Sequence, residues 1–263
     1  MPIMTSCRWP PLREDSLRSS LQARRRHVPV HVAAVTGSTQ DDALDRLKAG
    51  AEHGSVFVAE HQLSGRGRLG RSWLTTPGNL LFSLVVRNVN TDGDLAGLLT
   101  IAASVGVARA IEQCVGVALL IKWPNDLMLA NAKVGGVLIS VRQPHAVIGV
   151  GINVGTAPGI VAAQPTSAIA EYADQAIDRT ELLAFVIDEI LSAVEAKASL
   201  KTDLFNDWVA RSTVLGHEVE VSGTVIDRGR VAGFDRDGSL LLQTVDGAMR
   251  KIRNGDVSLR GDT

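Results

Sequence analysis

Gly65-Arg66-Gly67-Arg68-Leu69-Gly70-Arg71-Ser72-Trp73 packs three glycines and three arginines into seven residues and ends on an aromatic ring. Glycine lets backbone approach a ligand closely and take φ > 0 without steric cost, and guanidinium groups are permanently charged, forked donors for carboxylate or phosphate. An anionic ligand is expected here. The run formally matches G-x-G-x-x-G, yet a dinucleotide fingerprint needs a helix directly after it, whose N-terminus receives the pyrophosphate. Thr75-Thr76-Pro77-Gly78-Asn79 breaks the chain instead. A loop that supplies its own arginines suits a ligand with several negative charges, or one whose charge shifts during reaction.

The flanks of the loop read as a mixed sheet with helices. Residues 30–35 and 55–60 read as strands, the second delivering His61-Gln62 and the loop at its C-terminal end. Between them Gly37-Ser38-Thr39-Gln40 opens a helix over 41–48 that closes at Gly50. Ser38 or Thr39 is placed either to cap that helix or to meet a ligand. Residues 79–87 form a strand so apolar that both its faces must be covered. A long helix over 94–114 follows, with Asp92 or Asp94 at its start, then a strand over 118–123, a hairpin through Ala130-Asn131-Ala132, and a strand over 146–154 carrying Gly149, Gly151 and Asn153. Residues 155–179 read as loop with a short helix near 169–172. Helices are expected over 180–200 and 201–210, with Phe205 and Trp208 as core.

From about residue 212 short alternating runs are separated by Ser222-Gly223, Asp237-Gly238, Asp246-Gly247 and Asn254-Gly255. That punctuation predicts a small all-β barrel. The chain is thus read as an N-terminal extension (1–29), an α+β domain (30–211) and a β module (212–263). In the extension, Arg24-Arg25-Arg26 is read as a solvated helix end rather than a nucleic-acid arm.

Composition narrows the partners. The 27 basic and 28 acidic side chains nearly cancel, so nothing general draws the chain to nucleic acid or membrane, and anion binding must be local. Two cysteines, Cys7 and Cys114, make neither a disulfide framework nor a metal set and fit a reducing cytoplasm. No secretory h-region is visible, and no window is expected to reach the length of a membrane span.

The chemistry-bearing residues outside the loop are ambiguous one by one. In Lys122-Trp123-Pro124-Asn125-Asp126 the Asp beside Lys and Asn suits magnesium held through one carboxylate and phosphate oxygens, or is an ordinary turn with a surface ion pair. Lys133 beside Gly135-Gly136 is a solvated hairpin lysine or one that reaches into a cleft. Asn153 in an apolar strand needs partners, which a ligand would supply. His61 and His145 lack zinc spacing, and no G-x-S-x-G occurs. Together these groups point to electrophilic activation of a carboxylate by a nucleotide.

Gly37-Ser38-Thr39, Glu60-His61-Gln62 with the arginine loop, Lys122 to Asp126, Lys133-Val134-Gly135-Gly136 and Gly149-Val150-Gly151-Ile152-Asn153 together resemble the biotin protein ligases, in that family's order and spacing. The resemblance runs from about residue 30 to the C-terminus. It implies an α+β catalytic domain of the class II synthetase and lipoate-ligase type, followed by an SH3-like β-barrel. It implies ATP and biotin as substrates with Mg2+, biotinyl-5′-adenylate as intermediate, and a lysine of a biotin carboxyl carrier domain as acceptor. The family pattern puts Ser38, Thr39 and Gln62 on the biotin rings, with Gly65, Arg66, Arg68 and Gly136 closing over them. Lys133 and Arg68 become the catalytic pair, with Lys133 at the carboxylate and adenylate oxygens. Nucleotide contacts fall to Arg68, Arg71, Trp73, Lys122, Asn125 and Asn153, the metal to Asp126, and a weaker phosphate or acceptor role to Arg250, Lys251 and Arg253. Gln40 departs from the family's usual Asn. The sequence before Val30 has no room for the winged-helix repressor domain of bifunctional members. The expectation is therefore a cytoplasmic ligase, monomeric or weakly dimeric, that binds neither DNA nor membrane. A lipoate or octanoate ligase of the same fold is the alternative.

Overall fold

The computed structural model describes residues 9–89, 94–162, 164–196, 198–223 and 226–259. Asp92 and Cys7 lie outside them. The helices are α1 (Glu14–Ala23), α2 (Thr39–Lys48), α3 (Leu95–Val115), α4 (Arg179–Glu195) and α5 (Ala198–Ala210). The first seven strands are β1 (Val30–Thr36), β2 (Val56–Gln62), β3 (Leu80–Val86), β4 (Leu120–Lys122), β5 (Asp126–Leu129), β6 (Ala132–Arg142) and β7 (His145–Ile152). A short pair follows, β8 (Ile160–Val161) and β9 (Gln164–Pro165). The C-terminal strands are β10 (Glu218–Ser222), β11 (Asp227–Phe234), β12 (Leu240–Thr244), β13 (Met249–Ile252) and β14 (Asp256–Leu259).

The large sheet runs β1-β2-β3-β7-β6-β5-β4, with β1 and β2 parallel and every other pair antiparallel. Its two faces follow from the two-residue period of the strands. Leu80, Phe82, Leu84 and Val86 of β3 and Ala146, Ile148, Val150 and Ile152 of β7 all face the main core beneath α3 and α4. On the opposite face Val85 and Val147 pack with Ala43, Leu44 and Leu47 of α2. Both faces of β3 are therefore covered, which is why its sequence does not alternate.

Helix α3 is apolar almost all round. Asp94 caps it, accepting from Ala96 N at 3.0 Å and Gly97 N at 3.4 Å, and Gly116 ends it at φ 76°. A cap contributes about 1 kcal/mol, whereas each buried leucine or isoleucine contributes about 1.5–3 kcal/mol, so burial holds this helix in place. Contrary to the sequence expectation, α3 is long and apolar enough by length and composition to cross a membrane; most of that stretch is buried against the sheet and α4. The break between the last two helices falls earlier than residue 200, because Ala196 leaves helical geometry at ψ 140°. The basic run after α1 is folded inward: Arg26 pairs with Asp188 at 2.7 Å and Glu195 at 2.7 Å, and the Arg24 guanidinium lies 4.2 Å from the Phe185 ring centroid.

The C-terminal strands form a five-stranded antiparallel sheet in the order β13-β12-β11-β10-β14, consistent with an SH3-like module. It docks through its 235–239 turn. Gly238 O accepts from Trp123 Nε1 at 2.9 Å, and a Cβ on Gly97 would stand 1.9 Å from Asp237 O, so only glycine allows that approach. Trp208 packs edge-on against Phe234 at 4.8 Å, the core role expected of it.

Candidate functional site

The α2 face of the sheet changes character toward its middle. Val85 is opposite Val147, but the next pairs on that face are Ser83 with Gly149 and Leu81 with Gly151, and on β6 Leu138 stands opposite Gly149 and Gly136 opposite Gly151. Losing side chains from adjacent strands leaves a hollow where a core would otherwise continue. The resulting cavity encloses about 1060 Å3 including its open mouth. Its walls carry Ser38, Thr39, Gln62, Arg66, Arg68, Arg71, Trp73, Asn125, Asp126, Lys133, Gly136 and Asn153, so the scattered motifs converge. Two expected positions are not on its walls. Lys122 is one strand further out, opposite Asp126 on edge strand β4, and Gly65 is the tight point where the loop meets Trp73, a Cβ there falling 2.6 Å from Trp73 O.

One end of the cavity is neutral and polar. Ser38 occupies the cap position of α2, yet its side chain makes no capping bond; its Oγ is buried and lacks a partner. The capping alternative therefore fails for Ser38. Thr39 N and Oγ1 both donate to Gln62 Oε1, at 2.8 and 3.1 Å, which ties the start of α2 to the end of β2. Gln40 lies beneath this end: its amide donates to Ser140 Oγ at 2.9 Å and Val147 O at 3.2 Å and accepts from Ser83 Oγ at 3.0 Å. A Cβ on Gly149 would stand 2.3 Å from Gln40 Oε1, so glycine makes room for this longer amide.

The other end is charged. The arginine loop is a tight hairpin closed by Gly67 N to Arg71 O (2.7 Å) and Trp73 N to Gly65 O (2.8 Å), with a single 3-10 turn over Arg68–Gly70 instead of the helix a dinucleotide site would need. Arg68 points inward, donating to Asn125 Oδ1 at 3.1 Å, and burial pulls its guanidinium below its ordinary value against the opposing pull of Asp256 and Asp126. Arg71 pairs with Asp256 at 2.9 Å, and Arg66 with Asp41 at the mouth. Lys133 Nζ donates to Asp126 Oδ1 at 2.5 Å and sits 5.9 Å from the Trp73 ring centroid. The Trp73 indole lies over Gly151, where a Cβ would be 2.6 Å from the ring, and its buried Nε1 has no partner.

Some residues have their needs met by the protein. Asn153 accepts from Asn79 Nδ2 at 3.0 Å and donates to Ser167 O at 3.3 Å, so its burial does not require a ligand. Arg250 pairs with Asp227, and Lys251 with Asp235 at 2.5 Å and Asp237 at 2.8 Å; both are engaged inside the β module and do not reach the cavity. Among the described residues no group of three or more His, Cys, Asp or Glu could hold a metal. Asp126 is the single carboxylate among the described residues that line the cavity, which fits a magnesium ion carried on nucleotide phosphates rather than one caged by protein. Gln40, Ser83 and the β8–β9 residues Val161 and Gln164 also line the cavity. The serine and glycines interrupting β3 and β7 were the sequence signal for this floor; nothing in 155–166 signalled its outer wall.

Residues 32–153 match the family described as biotin/lipoate A/B protein ligases, and residues 214–260 match the biotin protein ligase C-terminal domain. A biotin–(acetyl-CoA-carboxylase) ligase of Mycobacterium tuberculosis is 35% identical over 94% of this chain and 96% of its own length. The bifunctional ligase/repressor BirA of Bacillus subtilis is 29% identical over 94% of this chain and 79% of its own. Among solved structures, the biotin protein ligase of Aquifex aeolicus in complex with biotin and ATP superposes with a TM-score of 0.75 at 29% identity, covering 88% of this chain and 98% of that one. Because the C-terminal module matches the biotin branch as well as the shared catalytic fold, the chain belongs to the biotin protein ligase family.

Proposed function

We propose that this chain joins biotin to ATP as biotinyl-5′-adenylate and passes the biotinyl group to one lysine of a biotin carboxyl carrier domain. In the first step a biotin carboxylate oxygen attacks the α-phosphorus and pyrophosphate leaves. In the second the carrier lysine attacks the mixed anhydride carbonyl, forming an amide and releasing AMP. The observation that carries this reading is a single cavity with an unpartnered neutral donor, Ser38 Oγ, at one end and Arg68, Arg71 and Lys133 at the other.

Each group has a task its surroundings support. Ser38, Thr39 and Gln62 bind the uncharged rings, and the Gly65–Arg66 segment and Gly136 close around them. Lys133 and Arg68 hold the carboxylate and the oxygens that gain charge as the phosphorus is attacked, which is where fixed cations lower a barrier most. Arg71 takes phosphate, Trp73 offers its face and free N–H to the adenine, and Asn125 holds Arg68 in place. Magnesium supplies further charge neutralisation on the phosphates, and Asp126 is the residue that would hold it. Lys122 is left outside this set. We place domain limits at about 29/30 and 211/212, a reading supported by β1 beginning at Val30 and by the first strand of the β module, β10, beginning at Glu218.

The test is to incubate the protein with ATP, magnesium, apo carrier domain and either biotin or lipoate, and to follow carrier mass. An ATP-dependent gain of one biotinyl group is expected. A lipoyl gain with none from biotin would overturn the reading.

A further inference from the structure

Residues 9–12 are bonded to Glu60 and Arg179, beside elements that carry cavity-lining residues. Arg179, 4% exposed, grips Glu60 of β2 through its guanidinium with two bonds, Nη1 to Oε2 at 3.0 Å and Nη2 to Oε1 at 2.9 Å. The N-terminal segment completes this pair: Pro10 O accepts from Arg179 Nη2, and Leu12 N donates to Glu60 Oε1. Arg179 Nη1 also donates to Asn79 O at 3.1 Å. Asn79 in turn donates through Nδ2 to Asn153 Oδ1, and Asn153 N donates to Val134 O at 2.7 Å, beside Lys133.

The indole of Trp9 adds a second grip. A Cβ on Gly78 would stand 2.6 Å from the ring, and one on Gly155 would stand 2.5 Å from it. Gly78 directly precedes Asn79 and Gly155 follows Asn153 by two residues, and Gly155 N donates to Gly78 O at 3.1 Å. Trp9 therefore lies over the junction that fixes both asparagines. Glu60 stands two residues before Gln62 on the same strand, so the segment is one step from Gln62 on one side and from Asn153 on the other.

We propose that residues 9–12 form a positioning strap for the ligand site, acting through Glu60–Arg179 and through the Gly78–Gly155 junction. None of these residues meets the reacting atoms. Their effect is on the placement of Gln62, Asn153 and the strand that carries Lys133. Only the kinetic readout below rests on the ligase reading.

The full-length chain is compared with Trp9→Ala and Trp9→Phe. In Trp9→Ala we expect the KM for biotin to rise about tenfold in adenylate formation, transfer from preformed biotinyl-5′-adenylate to stay within about twofold, and Trp9→Phe to restore KM. Hydrogen exchange of peptides spanning 76–80 and 150–155 should quicken in Trp9→Ala without ligand. Faster exchange there with an unchanged KM, or a lowered melting temperature with an unchanged KM, would show a merely structural segment and overturn the proposal. Unchanged exchange would overturn it whatever the substrate is. If the parent chain fails to adenylate biotin while Trp9→Ala still quickens exchange at 76–80 and 150–155, the ligase reading falls and the strap stands.

Discussion

Lys133 Nζ and Asp126 Oδ1 meet at 2.5 Å across the β5–β6 hairpin, pairing the one lysine and the one carboxylate among the cavity's lining residues. Each side chain is less than one quarter exposed, so their attraction is less screened than that of a surface pair. The pair keeps the cation fixed before any substrate arrives. Lys133→Ala should slow biotin-dependent pyrophosphate release by about 10²–10³-fold, the usual cost of losing one preorganised donor. The circular dichroism spectrum should be unchanged, and near-parental pyrophosphate release would remove Lys133 from the chemistry. Asp126→Asn should instead raise the magnesium concentration needed for half-maximal rate.

Ser38 offers a test in which stability and function part company. Its Oγ is buried without a partner, and an unmet buried hydroxyl costs stability rather than adding to it. Ser38→Ala should leave the ligand-free melting temperature equal or slightly higher. A ligand hydrogen bond is worth about 0.5–1.5 kcal/mol, so biotin affinity should fall by about 2–10-fold. Titration calorimetry and thermal melts on the same preparation measure both. A lower melting temperature with unchanged affinity would make Ser38 structural.

Much of this was legible because each strand carries its own period and each motif its own chemistry. The arginine loop, the breaker after it and the hairpin glycines determine their local geometry, so the mixed sheet and the β module followed from them. Lys122 reads as a nucleotide contact but does not line the cavity, because a motif of five consecutive residues does not reveal where the edge of the sheet falls. Arg250 and Lys251 looked available because their partners, Asp227, Asp235 and Asp237, come from other strands and turns of the β module. Asn153 invited a ligand because Asn79, 74 residues away, is invisible as its partner until the fold is known.

Arg68 joins the loop to the cavity wall through Asn125 and approaches Asp256 at 4.0 Å. Arg71 makes a closer bond to the same carboxylate. Removing Arg68 should open the loop side of the cavity, so that an acyl adenylate bound there would meet water and stray amines. Arg68→Gly should raise ATP-dependent, carrier-independent biotinylation of a bystander protein by at least about tenfold. A bystander signal equal to that of the parent chain would reject a retaining role for the loop.

The β module is fastened by its 235–239 turn, and the Asp237 carboxylate inside that turn makes the turn sensitive to acid. Burial alone would push the Asp237 carboxyl up, but Lys251 and Ser239 outweigh it and hold it at about 2. Its folded value therefore lies below the unfolded one of about 3.9. The contribution is complete above about pH 4 and is lost as pH falls through about 2. Lys251, raised by Asp235 and Asp237, has the opposite slope: its contribution is present below about pH 10.4 and lost at higher pH. Asp237→Asn should flatten the acid limb of a melting-temperature profile and leave the neutral region less changed. Gly97→Ala acts at the same contact by geometry, because its Cβ would stand 1.9 Å from Asp237 O at every pH. That variant should lose melting temperature uniformly and expose the 211–217 linker to protease. An acid limb in Asp237→Asn as steep as in the parent chain would show that this turn is not the pH-sensitive fastening.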